Sequence, residues 1–124
     1  MLFRSVKADG EQLLGVFNNL IKNAIQSIPP EKKGRIEISV ISLSSGKVKV
    51  AISDNGKGIP EEFKKKLFIP NFTTKSGGMG LGLAISRRVV ESAGGKIWFE
   101  TEEGTGSTFY VELPQFSVSD SSPE

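Results

Sequence analysis

Apolar residues recur at helical spacing from Leu13 through Phe17, Leu20, Ile21, Ala24 and Ile25 to Ile28, which predicts a helix with one broad apolar face. Pro29-Pro30 ends it. Asp9, followed by Gln12, has the spacing of a capping box at its start. Ahead of that cap, Leu2 to Lys7 reads as a short edge strand. The period then changes from helical to alternating. Arg35 to Leu43 carries Ile36, Ile38 and Val40 on one side, and Lys47 to Ser53 carries Val48, Val50 and Ile52 on one side. With Ser44-Ser45-Gly46 between them, the two runs predict an antiparallel hairpin with one buried face. Pro60-Glu61-Glu62 opens a short helix, with proline at its first position and acids in its first turn. Phe68 to Gly80 has no clean period and reads as a long functional loop. Leu81 to Ala93 is a second long helix, ended by Gly94-Gly95. Lys96 to Thr101 and Ser107 to Leu113 form a closing hairpin around Glu102 to Gly106. The serine-rich, acidic stretch 115–124 is expected to be a disordered tail behind a single domain over 1–114.

Strands and helices grouped in this way, rather than strictly alternating, predict an α+β two-layer sandwich: a mixed sheet with helices packed on one face. Composition narrows the chemistry more than the fold. At 124 residues, with 37% hydrophobic and 24% charged residues, the chain has the make-up of one ordinary globular domain. A net charge of +2, with Lys64-Lys65-Lys66 the only basic run, argues against a nucleic-acid binder. The chain has no cysteine and no histidine. That removes disulfides, thiol chemistry and a structural zinc site. No apolar run approaches membrane-spanning length and no signal peptide opens the chain, so a cytoplasmic domain is expected.

Three short stretches carry the candidate chemistry. Asp54 continues the face of Val48, Val50 and Ile52, so if those residues point inward its carboxylate does too. An inward carboxylate needs hydrogen-bond donors, and the exocyclic amine of adenine is one. Gly56 and Gly58 let the backbone pass close to such a base; alternatively Asp54-Asn55-Gly56 is simply a turn. Asn19 and Asn23 lie one turn apart at the polar edge of the first helix. A carboxamide oxygen can serve Mg²⁺ without repelling phosphates, although two asparagines can also merely border a core. Gly78-Met79-Gly80-Leu81-Gly82-Leu83 runs into a helix start, where free N–H groups and the helix dipole attract phosphate. It is neither a Walker loop nor a dinucleotide fingerprint, and a flexible helix entry is the plainer alternative. Lys75 lies just ahead of it, within reach of terminal phosphates.

The ordered set resembles the catalytic, ATP-binding domain of sensor histidine kinases. That is a branch of the GHKL ATPase superfamily, which also holds gyrase B, mismatch-repair MutL and a heat-shock chaperone. Asn19 to Ala24 looks like the N box, and Asp54 to Pro60 like the first glycine box. Leu67 to Lys75 resembles the F box of the nitrogen-regulatory type, with Asn71 in place of the first of its two aromatics. Gly78 to Leu83 is similar to the second glycine box, and Gly104-Thr105-Gly106-Ser107-Thr108-Phe109 with Leu113-Pro114 to the terminal motif. The resemblance runs from about Val6 to Pro114.

It implies a mixed sheet of about five strands with three helices over one face. It implies ATP and Mg²⁺ as ligands: Asn23 on the metal, Asn19 on the phosphate side, Asp54 on the adenine amine with Thr108 joining through water, and Ile59 against the base. Phe68 to Met79 would be a mobile lid hinged at Phe68 and Phe72, with Thr73, Thr74 and Lys75 beside the phosphate tail. Gly78, Met79 and the N–H groups of Gly80, Leu81, Gly82 and Leu83 would hold the phosphates. Gln26 stands where many relatives carry a phosphate-binding lysine or arginine. The partners implied are a histidine-bearing dimerisation domain of the same kinase and a response regulator, with neither nucleic acid nor membrane contact and a monomeric isolated domain. Lacking histidine, the chain is expected to bind Mg-ATP without phosphorylating itself on histidine. The rival readings are an anti-sigma-type serine kinase, an ATP-driven conformational machine and a nucleotide-sensing module with a degenerate site.

Overall fold

The computed structural model describes residues 2–70 and 82–114, with side chains from Gly10 onward. Its elements are α1 (Leu2–Ser27), β1 (Ile36–Ser42), β2 (Lys47–Asp54), α2 (Glu61–Lys64), α3 (Leu83–Ser92), β3 (Lys96–Glu102) and β4 (Gly106–Pro114). Among the described residues there is one four-stranded sheet, ordered β1-β2-β4-β3. All three strand pairs are antiparallel.

Two expectations fail at the N-terminus. Leu2 to Lys7 is helix rather than an edge strand, and Asp9 lies inside α1 rather than capping it. The sequence allows this, because Phe3, Val6, Gly10, Leu13, Phe17, Leu20 and Ala24 follow one another at spacings of three and four, the period of a helix. Without that strand the sheet has four members instead of about five. It is antiparallel rather than mixed: two hairpins, β1-β2 and β3-β4, join through an antiparallel β2–β4 pairing reached by the connection that carries α2 and α3. Smaller differences are at element ends. Pro60 caps α2 from outside instead of filling its first position, and α3 starts at Leu83 instead of Leu81.

The layering positions the site. α1 packs against β2 and α3, and α3 packs against β3. The buried core between the layers includes Leu13, Val16, Leu20 and Ala24 of α1, Leu83 and Val90 of α3, and Ile52, Phe109 and Val111 of the sheet. Phe99 and Phe109 stack at 5.4 Å within it. Each large side chain removed from water here contributes about 1.5–3 kcal/mol. β1 is outside this cover. Ile38 and Val40 lie on the helix side of the sheet, opposite Ile52 and Val50, yet are 53% and 66% exposed. The hairpin's buried face therefore holds for β2 but not for its edge partner, because α1 sits over β2. The opposite face of the sheet carries a stack of Trp98 on Tyr110 at 5.2 Å, with Lys49 Nζ 5.4 Å from the Tyr110 ring.

Candidate functional site

β2 delivers Asp54 to the end of the sheet on the helix side, two residues beyond buried Ile52. Its Oδ1 accepts hydrogen bonds from the Gly56 N–H at 2.8 Å and the Ser107 N–H at 3.3 Å. Among the described residues no donor reaches Oδ2. The carboxylate is thus pinned by one oxygen and offers the other. Asn55 turns away from it: its Oδ1 accepts from the Arg35 N–H at 2.8 Å and its Nδ2 donates to the Lys33 carbonyl at 2.9 Å, tying the β2 exit to the start of β1.

Gly56 and Gly58 are also required by the protein's own packing. A Cβ on Gly56 would run into the Ser27 hydroxyl and carbonyl at the end of α1. Gly58, at φ +74°, would meet the backbone of Glu102 and Glu103. The Lys57 N–H donates to the Ser27 carbonyl at 3.0 Å, and the Lys57 carbonyl accepts from the Gly104 N–H at 2.7 Å. The loop after β2 is therefore clamped between the C-terminus of α1 and the β3–β4 turn, and bare backbone is what fits there. The clamp buries Ile59, whose N–H donates to Thr101 Oγ1 at 2.9 Å.

On α1, Asn23 is 3% exposed and its Nδ2 finds no acceptor among the described residues. An unpaired buried amide costs about 1–3 kcal/mol. Among the described residues the amide is thus a donor open to an acceptor from outside them, such as a ligand oxygen or a water. Asn19, one turn earlier, donates from Nδ2 to Ser86 Oγ at 3.4 Å and closely approaches Gly82. Gln26 follows three residues after Asn23 on the same side of the helix, exposed. Gly82 caps α3 in the left-handed conformation and Leu83 beneath it is fully buried. The first-turn N–H groups of α3 have no partner within the helix. Asn19 and Gly82 line a cavity of about 340 Å³ between α1 and α3.

Asn19 and Asn23 on α1, and Gly82 and Leu83 at the start of α3, belong to the helix layer, and Asp54 lies on the face of β2 turned to that layer. Thr108 lines the same cavity as Asp54 but from the other face of β4. It pairs with Ser53 across the β2–β4 ladder and their hydroxyls bond to each other on the opposite face from Asp54. Ser107 is the residue opposite Asp54. Its hydroxyl lies 2.8 Å from Thr101 Oγ1, and Asp54, Thr101 and Ser107 share a cavity of about 420 Å³. Ser107 and Thr101 thus line this cavity and Ser27 braces the loop after Asp54, placements that motif reading passed over. A parity count from Phe109 and Val111, which must face the core, identifies Ser107. Phe72, Thr73, Thr74, Lys75, Gly78, Met79, Gly80 and Leu81 lie outside the described residues. Phe68, before them, packs 6.0 Å from Phe99, with the Arg87 guanidinium 5.6 Å from its ring.

Among the described residues no group of three or more acids converges on a metal position. A cation at Asn23 would therefore depend on that amide and on the oxygens of a ligand. The amide suits this, since a half-turn of its side chain exchanges nitrogen for oxygen.

A family model described as "Histidine kinase-, DNA gyrase B-, and HSP90-like ATPase" matches residues 8–117. The sensor histidine kinase ZraS of Escherichia coli (strain K12) is 42% identical over 109 residues, which takes in 88% of this chain and 23% of that protein. The adaptive-response sensory kinase SasA of Prochlorococcus marinus subsp. pastoris is 39% identical over 115 residues, 89% of this chain and 30% of that one. The catalytic domain of histidine kinase ThkA, solved in a nucleotide-free form, superimposes with a TM-score of 0.73 at 42% identity, over 85% of this chain and 67% of its own. ThkA in complex with the response regulator protein TrrA gives a TM-score of 0.65 at 39% identity, over 82% of this chain and 28% of that one. The chain spans less than a third of the length of the two sensory kinases.

Proposed function

Because the chain belongs to the histidine kinase-, DNA gyrase B- and HSP90-like ATPase family, as the ATP-binding catalytic domain of a sensor histidine kinase, we propose that it binds Mg-ATP and presents the γ-phosphoryl group to a histidine on a separate dimerisation domain. The observation that carries the proposal is the Asp54 carboxylate, held through Oδ1 by two backbone N–H groups with Oδ2 left for a donor. Asp54 and Ser107 take the adenine edge. Asn23 and Asn19 face the phosphates together with Gly82 at the start of α3, where backbone N–H groups and the helix dipole favour negative charge. Gln26, Leu83 and the motif residues Phe72, Thr73, Thr74, Lys75, Gly78, Met79, Gly80 and Leu81 complete the nucleotide site in this proposal, on the motif resemblance.

Mg²⁺ would be held at Asn23 by the amide oxygen, with the rest of its oxygens from the phosphates, whose charge it would offset. Phosphoryl transfer depends chiefly on positioning and electrostatic stabilisation. The chain has no histidine, so the acceptor must come from elsewhere. By the same reading the catalytic unit spans residues 1–114 and is monomeric in isolation. It passes its phosphoryl group through the dimerisation domain to a response regulator in the cytoplasm, and contacts neither nucleic acid nor membrane. No helix of the described residues is long and apolar enough to cross a membrane.

The test is incubation of the chain with γ-labelled ATP, Mg²⁺ and a histidine-bearing dimerisation domain. Acid-labile label on the second component, dependent on both Mg²⁺ and this chain, is expected. Label on a serine instead, or none despite nucleotide binding, would overturn the assignment.

A further inference from the structure

We infer that Thr101 is a specificity-setting positioning residue, whose hydroxyl fixes the direction of the Ser107 hydroxyl proton so that the site shows the base only hydrogen-bond acceptors. The inference rests on the nucleotide reading above and adds to it a residue that does not touch the base.

Asp54, Ser107 and Thr101 form one row across three strands: Asp54 pairs with Ser107, and Ser107 with Thr101. Among the described residues Thr101 Oγ1 has three hydrogen-bonding neighbours. It receives the Ile59 N–H at 2.9 Å, lies 3.2 Å from the Gly106 carbonyl oxygen and 2.8 Å from Ser107 Oγ. A hydroxyl has one proton and two lone pairs. The Gly106 carbonyl can only accept, so the Thr101 proton goes there. The Ile59 N–H occupies one lone pair. The other is left for the Ser107 proton. Only this arrangement turns all three contacts into hydrogen bonds, because the reverse sets the Thr101 oxygen against the Gly106 oxygen with no proton between them.

The consequence lies on the far side of Ser107. With its proton turned toward Thr101, the Ser107 oxygen shows lone pairs to its surroundings, and it does so from a residue only 4% exposed. Asp54, the cross-strand partner of Ser107, brings a second acceptor, Oδ2, to the same cavity. Two acceptors in one cavity welcome an exocyclic amine, directly or through one water. They oppose a carbonyl at the same place, since a buried site left with unpaired acceptors loses the full value of its hydrogen bonds. Thr101 also holds the backbone of Ile59, the residue that the motif resemblance sets against the base.

The test compares ATP with inosine triphosphate, in which a carbonyl replaces the 6-amine. Calorimetric affinities are measured for the wild-type chain and for Thr101→Val, Thr101→Ser and Ser107→Ala, with a thermal melt for each. Thr101→Val should cut the preference for ATP over inosine triphosphate by about tenfold or more, because the freed Ser107 proton can turn to the carbonyl. Thr101→Ser should restore the preference. In the Ser107→Ala background, Thr101→Val should change it no further. A preference unchanged in Thr101→Val while its melting temperature falls would make Thr101 a purely structural residue and end the inference. Should Thr101→Val not fold, the wild-type chain still decides: inosine triphosphate binding within about threefold of ATP would exclude an acceptor-only edge. A wild-type chain that binds neither nucleotide would instead sink the nucleotide reading itself.

Discussion

Asp54→Asn is the sharpest perturbation of the site, because it changes charge and one donor while keeping shape. If the amide keeps its oxygen at the Oδ1 position, the Gly56 and Ser107 N–H groups retain their acceptor. Oδ2 becomes an NH₂ group that faces the adenine amine donor to donor. A hydrogen bond to a charged group contributes about 1.5–3 kcal/mol, so ATP affinity should fall by about 10- to 150-fold. For GTP the same change replaces an acceptor opposite a carbonyl with a donor, so its affinity should hold or rise. The fold should survive. Two charge-assisted bonds become ordinary ones, at a cost of roughly 1–2 kcal/mol, which lowers the melting temperature by roughly 2–8 °C in a domain of this size. Calorimetry at 25 °C with both nucleotides, on protein shown to be folded by its melt, reads the result. An ATP affinity within about threefold of wild type, or an equal loss for ATP and GTP, would refute the assignment of this carboxylate to the base.

Asn23→Leu should weaken ATP binding mainly when Mg²⁺ is present while raising the melting temperature, since it removes an unpaired buried amide; equal losses with and without EDTA would argue against a metal role. Gly56→Ala should destabilise by several kcal/mol, because its Cβ meets backbone at the end of α1, whereas Gly15→Ala in open helix should stabilise by about 0.5–1 kcal/mol; urea melts of the two variants separate packing from chain entropy. Tyr110 titrates above its usual 10.0, chiefly through its hydrogen bond to Glu100 at 2.9 Å, then burial and the Glu100 charge. The associated stabilisation is present below pH 10 and is lost as pH rises through the folded value. Glu100→Gln should bring the phenol's ultraviolet titration back toward the ordinary range, and an unmoved curve would show that Glu100 is not the cause.

Periodicity carried most of the fold, and its failures have physical causes. Alternation identified β1 as a strand but not its exposure: a pattern tells which residues share a face, not whether another layer reaches it, and α1 stops over β2. The N-terminal error came from reading a short apolar run as a strand when its spacing of three and four already continued the helix. In the site, types were easier to read than partners. Asp54 stood out because a carboxylate that continues an apolar face needs partners, and Asn23 because two asparagines one turn apart in mid-helix call for an explanation. Thr108 was preferred to Ser107 for want of strand parity, and one residue in a strand reverses its face. Ser27 and Thr101 were out of reach, since their importance comes from contacts 30 and 42 residues away, to Lys57 and Ile59. The two glycines next to Asp54 were read as letting the backbone pass close to a base, or as a plain turn; their packing against Ser27, Glu102 and Glu103, far away in the chain, was not legible.

The central claim is that the base meets this protein at the end of β2, and amide-resolved NMR titration of the wild-type chain in Mg²⁺ tests it most directly. The backbone N–H groups of Gly56, Ile59 and Ser107 should shift on adding ATP and move far less with GTP at the same concentration. Shifts confined to other parts of the chain, or identical responses to the two nucleotides, would contradict it.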